Sequence, residues 1–421
     1  MYDICFITTP TPELEDDRLE PPLGLLYLAS YLKHGNDNIS LKIVDLCQIP
    51  ETQWDIPEAK YYGFTTYSTT YHRTVDIKNK IRAMYPKSKS IAGGAHASAM
   101  PIEVKKEFDY VVIGEGEITL WNIINGWSQP GIIEGNPYLD LDRLPFPDYS
   151  LIDFNTYHRI VDGKRSLSIL SSRGCPYKCA FCNSIILGGN HRVRFRTPQN
   201  VINELINLMD QYGDINFRFQ DDMFASRLEW LREFTRLVKP LDITYRAFAR
   251  VTQCANKEFV DLFVEGGCKH LALGVDSGSN TILKNMNKSQ TRADIILGLK
   301  NAKEAGLIRR IYLIVGFPGE TWETIEETAQ LVEEAQPDEF VVYPLIPYPG
   351  TSLWYNPEKW GLYNISKDFT KYFQIYGDKQ SHFVYDLKDY DRYELQAMKD
   401  YLVTRLEKAH AVWARNSKGY V

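Results

Sequence analysis

Short apolar runs alternate with amphipathic stretches through the first 125 residues. The runs YDICFIT (2–8), LKIVDL (41–46), YYGFTTYS (61–68), SKSIAGG (88–94) and DYVVIG (109–114) have the length and composition of buried strands. Between them, GLLYLASYLK, HRTVDIKNKIRAM, VKKEF and TLWNIINGW carry apolar residues at helical spacing. Strand followed by helix at this rhythm predicts an α/β domain with a doubly wound, Rossmann-like parallel sheet. Gly93-Gly94-Ala95-His96 and Gly114-Glu115-Gly116-Glu117 follow two of the strands. They set small residues and free N–H groups at the carboxyl edge, where open α/β sheets bind ligands; tight turns alone would also account for the glycines.

From Gly131 the periodicity fades, and Pro137, Pro145 and Pro147 mix with Asp140, Asp142 and Asp148, as in a surface connector. A second series begins at Ser166: SLSILSS, INFRF, ITYRAFA, KHLALGV, IRRIYLIV and EFVVYPLI read as strands. The clearest helix follows Thr197, an N-cap residue, with Pro198 preset for its first turn. Six strands, each followed by a helix or loop, predict a partial (βα)6 barrel of TIM type. The resulting partition is 1–135 for the first domain, 136–164 for a linker, 165–355 for the barrel and 356–421 for a mainly helical extension, its helix running from about Tyr393 to Ala414.

Composition narrows the class. Of 421 residues, 44% are hydrophobic and 24% charged, as in ordinary globular chains, which excludes disorder or a fibrous repeat. Lys and Arg number 48 against 54 Asp and Glu, a balance of −6 that offers no general field for polyanions and argues against nucleic acid. The start lacks the basic flank and apolar run of a signal peptide, and no stretch reaches membrane-spanning length, so a cytoplasmic protein is expected. The seven cysteines, at 5, 47, 175, 179, 182, 254 and 268, form no secreted disulfide framework.

Cys175, Cys179 and Cys182 follow the first barrel strand as C-x3-C-x2-C. That spacing lets three thiolates converge on one soft metal centre and leaves a coordination position open, which suits chemistry better than a closed structural site. His191 is the nearest fourth ligand for a structural zinc. Cys254 and Cys268 read as small core residues. His191–Arg196, the densest basic patch, reads as a solvated strand face or a contact for an anionic group.

The cysteine loop, with Phe181 before its last cysteine, resembles the signature of the radical S-adenosylmethionine superfamily. The resemblance implies a four-iron four-sulfur cluster whose open iron chelates S-adenosylmethionine, Phe181 beside the adenine, and reductive cleavage to methionine and a 5′-deoxyadenosyl radical. The cofactor would carry that chemistry and the protein would position it. Later segments match in strand order. Gln220-Asp221-Asp222 resembles the acidic segment that meets the ammonium of S-adenosylmethionine, and Arg250 is placed for its carboxylate. Gly274-Val275-Asp276-Ser277-Gly278-Ser279 is similar to Gly-x-Glu-Ser-Gly-Ser, with Asp276 in place of the usual Glu for a ribose or a neighbouring Arg. Val315-Gly316-Phe317-Pro318-Gly319-Glu320-Thr321 resembles the adenine segment, and Pro347–Thr351 the sixth-strand exit.

The N-terminal half resembles the cobalamin-binding domain of cobalamin-dependent radical enzymes, through Pro21–Ala29 with Gly24 and Leu25, through Gly93, Gly94 and His96, and through Gly114, Glu115 and Gly116. No Asp-x-His-x-x-Gly is present, so cobalamin held without a histidine ligand is implied; His72 and His96 fall in the corresponding loops. The methylthiotransferase relatives need three further cysteines, and only Cys5 and Cys47 precede the loop. The expected activity is methylation of an unactivated carbon of a small-molecule substrate, with cobalamin remethylated by a second S-adenosylmethionine. Cyclisation, ring contraction or another rearrangement, with or without cobalamin, is the alternative, and a non-catalytic iron–sulfur module the reading from another class. An external one-electron reductant such as flavodoxin or ferredoxin is implied. Trp354, Tyr355, Trp360, Tyr363, Tyr372, Phe373 and Tyr376 either line a substrate pocket or pack the barrel mouth.

Overall fold

In β1 (Tyr2–Thr8), Ile4 and Phe6 point to one side of the sheet while Cys5 and Ile7 point to the other, and all four are buried. A strand buried on both faces needs helices above and below it. α1 (Leu23–Gly35) covers the Ile4 face with Leu25, Leu26, Ala29 and Leu32, and α2 (Tyr71–Met84) covers the Cys5 face with Ile77 and Ile81. The remaining strands are β2 (Leu41–Asp45), β3 (Ala59–Thr65), β4 (Lys89–Gly93), β5 (Tyr110–Ile113) and β6 (Gly131–Glu134), with α3 (Ala95–Ala99) and α4 (Glu117–Ile124) after β4 and β5. The sheet is wholly parallel in the order β2-β1-β3-β4-β5-β6, as the doubly wound expectation requires. β6 lies where the apolar pattern had already faded.

The computed structural model describes residues 1–14, 16–184, 186, 192–374 and 382–413. His191 and Tyr376 lie outside them.

The connector is embedded, not laid loosely over the surface. Asp140, Asp148 and Asp153 each cap a short 3-10 turn by accepting from the backbone N–H two residues on. Leu141, Leu144, Tyr149 and Phe154 are buried, and the Tyr149 hydroxyl donates to Ser168 O at 2.7 Å.

The second sheet contains β7 (Ile160–Val161), β8 (Lys164–Ile169), β11 (Asn216–Phe219), β12 (Tyr245–Ala249), β13 (Cys268–Asp276), β14 (Ile308–Val315) and β15 (Glu339–Pro344). Its order is β15-β14-β13-β12-β11-β8-β7, parallel except for β7 against β8. The six predicted barrel strands are all present, and the edges β15 and β7 do not pair with each other, so the barrel is partial. Leu167, Phe217, Phe219, Leu271, Leu273, Ile311 and Leu313 pack outward beneath the helices. A further antiparallel pair, β9 (Ser172–Arg173) with β10 (Arg194–Phe195), stands at the mouth. α5 (Pro198–Tyr212) starts as expected, with Thr197 Oγ1 accepting from Asn200 N. α6 (Arg392–Trp413) packs Leu395, Met398, Leu402 and Leu406 onto the barrel. Among the described residues, no helix is long and apolar enough to cross a membrane.

β10 overturns the solvated reading for Arg194 and Arg196, while Arg192 is exposed. Arg194 and Arg196 are both buried, Arg194 paired with Glu115 of the first domain and Arg196 with Glu204 of α5. Glu204 has no exposed surface, and burial pushes its carboxyl above the usual range against the pull of Arg196. Removing one charge of such a pair strands the other, a loss of about 3 kcal/mol or more. Glu204→Gln is therefore expected to lower stability by about 3 kcal/mol in urea unfolding, with Glu204→Gln/Arg196→Met recovering part of the loss. An unchanged midpoint in the single variant would show that the pair is not structural.

Candidate functional site

The β9–β10 ladder clamps both ends of the cysteine-bearing segment. Gly174, between them, has φ +96°, and a Cβ there would drive into Arg192 O, so only glycine lets the chain turn into the loop. Ala180 N donates to Met286 O at 2.9 Å and Asn287 Nδ2 to Lys178 O at 2.8 Å, which ties the loop to the segment beyond β13. Cys175 and Cys179 are half-buried and Cys182 is exposed. Burial raises the Cys175 and Cys179 thiols, and Lys288 and Arg250 oppose that rise at Cys179. Cys175 also senses the charge of Cys182 and Cys179, and Cys179 that of Cys182. Among the described residues, no three histidine, cysteine or carboxylate side chains are already gathered at metal-ligand distance. Three soft donors on one short loop, beside two cations that favour thiolates, nonetheless fit an iron–sulfur cluster by donor type.

Adjacent carboxylates after β11 have opposite fates. Asp221 is buried and accepts from Ser171 N at 3.1 Å, Ser171 Oγ at 2.7 Å and Ser172 Oγ, which leaves it no room for a ligand. Asp222 faces solvent within a recess, where surrounding protein and then Asp221 push its carboxyl up to about 6. Arg250 is buried over the Tyr177 ring at 3.6 Å, donates to Cys179 Sγ at 3.9 Å and also meets Lys288 O. Asp276 pairs with Lys288 and not with an arginine, and its φ of +65° is strained for a residue with a side chain. Lys288 Nζ sits 5.7 Å above Phe181, whose ring meets Phe317 edge-on at 6.5 Å.

Ser277 does not open toward a ligand: its Oγ is buried, accepts from Ser279 N and shares a hydrogen bond with Thr328. Gly316 has φ +91°, donates to Glu320 Oε2 at 3.1 Å and accepts at its carbonyl from the Tyr385 hydroxyl at 2.6 Å. Burial pushes the Glu320 carboxyl up to about 7. Pro318 remains half-buried, with its carbonyl held by Asn285. Tyr372 is core, packed on Tyr348 and Phe369, whereas Tyr355 and Tyr363 are exposed.

The carboxyl edges of the two sheets enclose a cavity of about 320 Å³. Gly24, Gly94, Gly114, Glu115 and Gly116 line one side, and Ser172, Arg173, Gly174, Gln220 and Asp222 the other. Leu25 and Gly93 line a smaller neighbouring cavity of about 90 Å³. A Cβ at Gly24 or Gly93 would meet nothing within 4 Å, so these glycines leave a broad floor bare for a flat ligand, which fits a corrin ring. No histidine is among the described residues lining either cavity. His72 lies exposed on α2 and not in a loop. His96 is fully buried on α3 between Tyr71 and Phe369, bonded through Nδ1 to Ser68 Oγ at 2.9 Å, and burial lowers it to about 4.

Sequence reasoning missed the residues that join the halves. Arg173 donates to Glu115 at 3.1 Å and to Glu117 at 2.7 Å, and its guanidinium lies 5.2 Å from the Tyr27 ring. Lys288 carries no signal in sequence; it reaches Asp276 only because the chain turns back over the strand end.

Residues 17–124 match the B12 binding domain and residues 169–332 the Radical SAM superfamily. An uncharacterized methyltransferase of Pyrococcus horikoshii is 30% identical over 363 residues, covering 79% of this chain and 78% of that protein. The anaerobic magnesium-protoporphyrin IX monomethyl ester cyclase of Rubrivivax gelatinosus is 24% identical, covering 88% of this chain and 68% of that protein. Among solved structures, the radical S-adenosylmethionine methyltransferase TsrM of Kitasatospora setae shares the fold, with TM-score 0.66 and 17% identity over 85% of this chain and 77% of that one. The chain belongs to the cobalamin-dependent radical S-adenosylmethionine enzymes of the methyltransferase family, whose cofactors are a four-iron four-sulfur cluster, S-adenosylmethionine and cobalamin.

Proposed function

We propose that this enzyme methylates an unactivated carbon of a small-molecule substrate in the space between its two sheets. One observation carries the reading: a single cavity is lined both by the glycine-rich edge of the first domain and by the root of the cysteine loop. When bound, the cofactors supply a hydrogen-abstracting radical and a transferable methyl group. The chain's task is to hold the groups that supply them within reach of one substrate and to keep water and side reactions away.

In this reading Cys175, Cys179 and Cys182 hold the cluster. Asp222 accepts from the ammonium of S-adenosylmethionine, a part that Asp221 cannot take because Ser171 and Ser172 occupy it. Arg250 is near enough to Cys179 to serve the carboxylate end of S-adenosylmethionine and to bias the thiolate. Phe181 and the turn at Gly316–Pro318 flank the adenine, while Asp276, locked to Lys288, shapes the wall beside it. Gly24, Gly94, Gly114 and Gly116 floor the cobalamin side, and Glu115 fixes it against the barrel through Arg173 and Arg194. The partition at 1–135, 136–164, 165–355 and 356–421 goes with this assignment. The cyclase relative supports a second reading, in which the same radical closes a ring without methyl transfer.

Alanine at Cys175, Cys179 or Cys182 is expected to abolish iron binding and deoxyadenosine formation under dithionite; retention of both would remove the cluster assignment. Product analysis with methyl-deuterated S-adenosylmethionine in a metabolite extract separates the readings, since a product without labelled methyl excludes methylation.

Asp222 gives a pH dependence. As the carboxylate is the acceptor, affinity for S-adenosylmethionine should be level above pH 6 and fall by about tenfold per unit below it, as protons compete for the carboxyl. Asp222→Asn should weaken binding at neutral pH and flatten the profile in equilibrium titrations. A profile in Asp222→Asn identical to the native one would assign the ammonium to another group.

A further inference from the structure

Below the cysteine loop, the inner face of the barrel is unusually cationic. Strand register aligns Ser168 with Arg218, Arg218 with Arg246, Arg246 with His270, and Arg310 with Glu339. Arg159, beside β7, joins the same group. Among the described residues, Glu20 pairs with Arg159 and Arg218, and Glu339 with Arg310. Glu20, from the segment before α1, is held by Arg159 at 2.9 Å, Ser168 Oγ at 2.8 Å, Arg218 and Gln220. Glu339 serves Arg310 at 3.2 Å and His270 at 3.9 Å.

Arg246 is the member that no described carboxylate contacts, with Glu339 acting on it only from a distance. It is 8% exposed, its Nη2 donates to the Tyr312 hydroxyl at 3.2 Å, and its Nε is buried with no partner. The Arg218 Nε is likewise unpartnered. A buried guanidinium with no anion in contact is costly, and Arg246 is in that position among the described residues. The crowding of cations is felt locally: burial and then Arg246 lower Arg218 to about 10, and burial followed by Arg246 and Arg310 lower His270 to about 3. Nearer the carboxyl edge stand Phe248, two residues beyond Arg246 and under the Arg218 and Arg246 guanidiniums, and the stacked pair Tyr312–Tyr343, with ring centroids 6.3 Å apart and planes 10° from parallel. Arg250 of the cofactor level lies four residues beyond Arg246, about 13 Å along the strand direction.

We propose that Arg246, with Arg218 beside it, binds the anionic end of the substrate, a carboxylate or a phosphate. The aromatic layer then carries an unsaturated or flat body between that anchor and the cofactor level. Glu20 shows the chemistry in place, since its carboxylate already occupies the neighbouring half of the same arginine belt. The inference rests on the proposed methylation site for its orientation, not for the anion binding itself.

The test is calorimetric titration of the full reconstituted chain with phenyl phosphate, phenylacetate and the neutral phenylacetamide. At least one anion should bind saturably while the amide does not, and the anion that binds identifies a phosphate or a carboxylate substrate. Arg246→Met should weaken that binding by about tenfold or more, and Arg246→Lys should restore part of it. Equal binding of the amide, no binding of either anion, or undiminished binding in Arg246→Met with native circular dichroism would overturn the proposal. Deoxyadenosine formation by the unmodified chain is measured in parallel: its absence alongside selective anion binding would overturn the radical reading and leave the anion site standing.

Discussion

Arg173 must be at once part of the cysteine loop's root and a partner of the first domain. Its guanidinium reaches Glu115 and Glu117, at the carboxyl edge of the first sheet, from the strand that leads directly into Gly174 and Cys175. Arg194, opposite Arg173 in the same ladder, takes Glu115 from the other side. All four side chains are largely withdrawn from water, so these ion pairs are short, poorly screened and directional. They align two independently wound sheets edge to edge, and the shared cavity exists because of that alignment.

Further links repeat the device away from the cavity. Glu20 enters the barrel's arginine belt, and the Tyr157 hydroxyl donates to Asp45 Oδ2 at 2.7 Å. The connector between the domains contributes its own buried aromatics and aspartate-capped turns, which explains why a proline-rich segment is packed firmly. A chemistry that needs two bulky cofactors facing one substrate gains from such rigidity, because reactive groups lose effectiveness steeply with misplacement.

The elements that could be read from the chain are those whose signal is local. β1, β3 and β5 are apolar runs because both faces of a parallel strand are buried, and Thr197-Pro198 marks a helix start by side-chain chemistry alone. β6 escaped because four residues beginning with glycine and ending with glutamate carry too little apolar content. What could not be read is non-local. Asp221 and Asp222 look interchangeable in sequence, yet adjacent residues of an extended chain point opposite ways, and one is consumed by serines while the other opens on the cavity. The partner of Asp276 is Lys288, and the partners of the basic stretch are Glu115 and Glu204; each depends on a tertiary approach that no spacing encodes. His96 lies beside a glycine turn in sequence, but the short helix after that turn directs it into the core.

The central claim is that both cofactor sites open on one space and are used together. Anaerobic reconstitution of the chain with iron, sulfide and hydroxocobalamin, followed by a metal count per polypeptide, tests it most directly. The account predicts near four irons and one cobalt per chain, with cobalt retention reduced when Arg173 is replaced by methionine. Four irons without retained cobalt would contradict it, leaving a radical enzyme whose first domain serves only as scaffold.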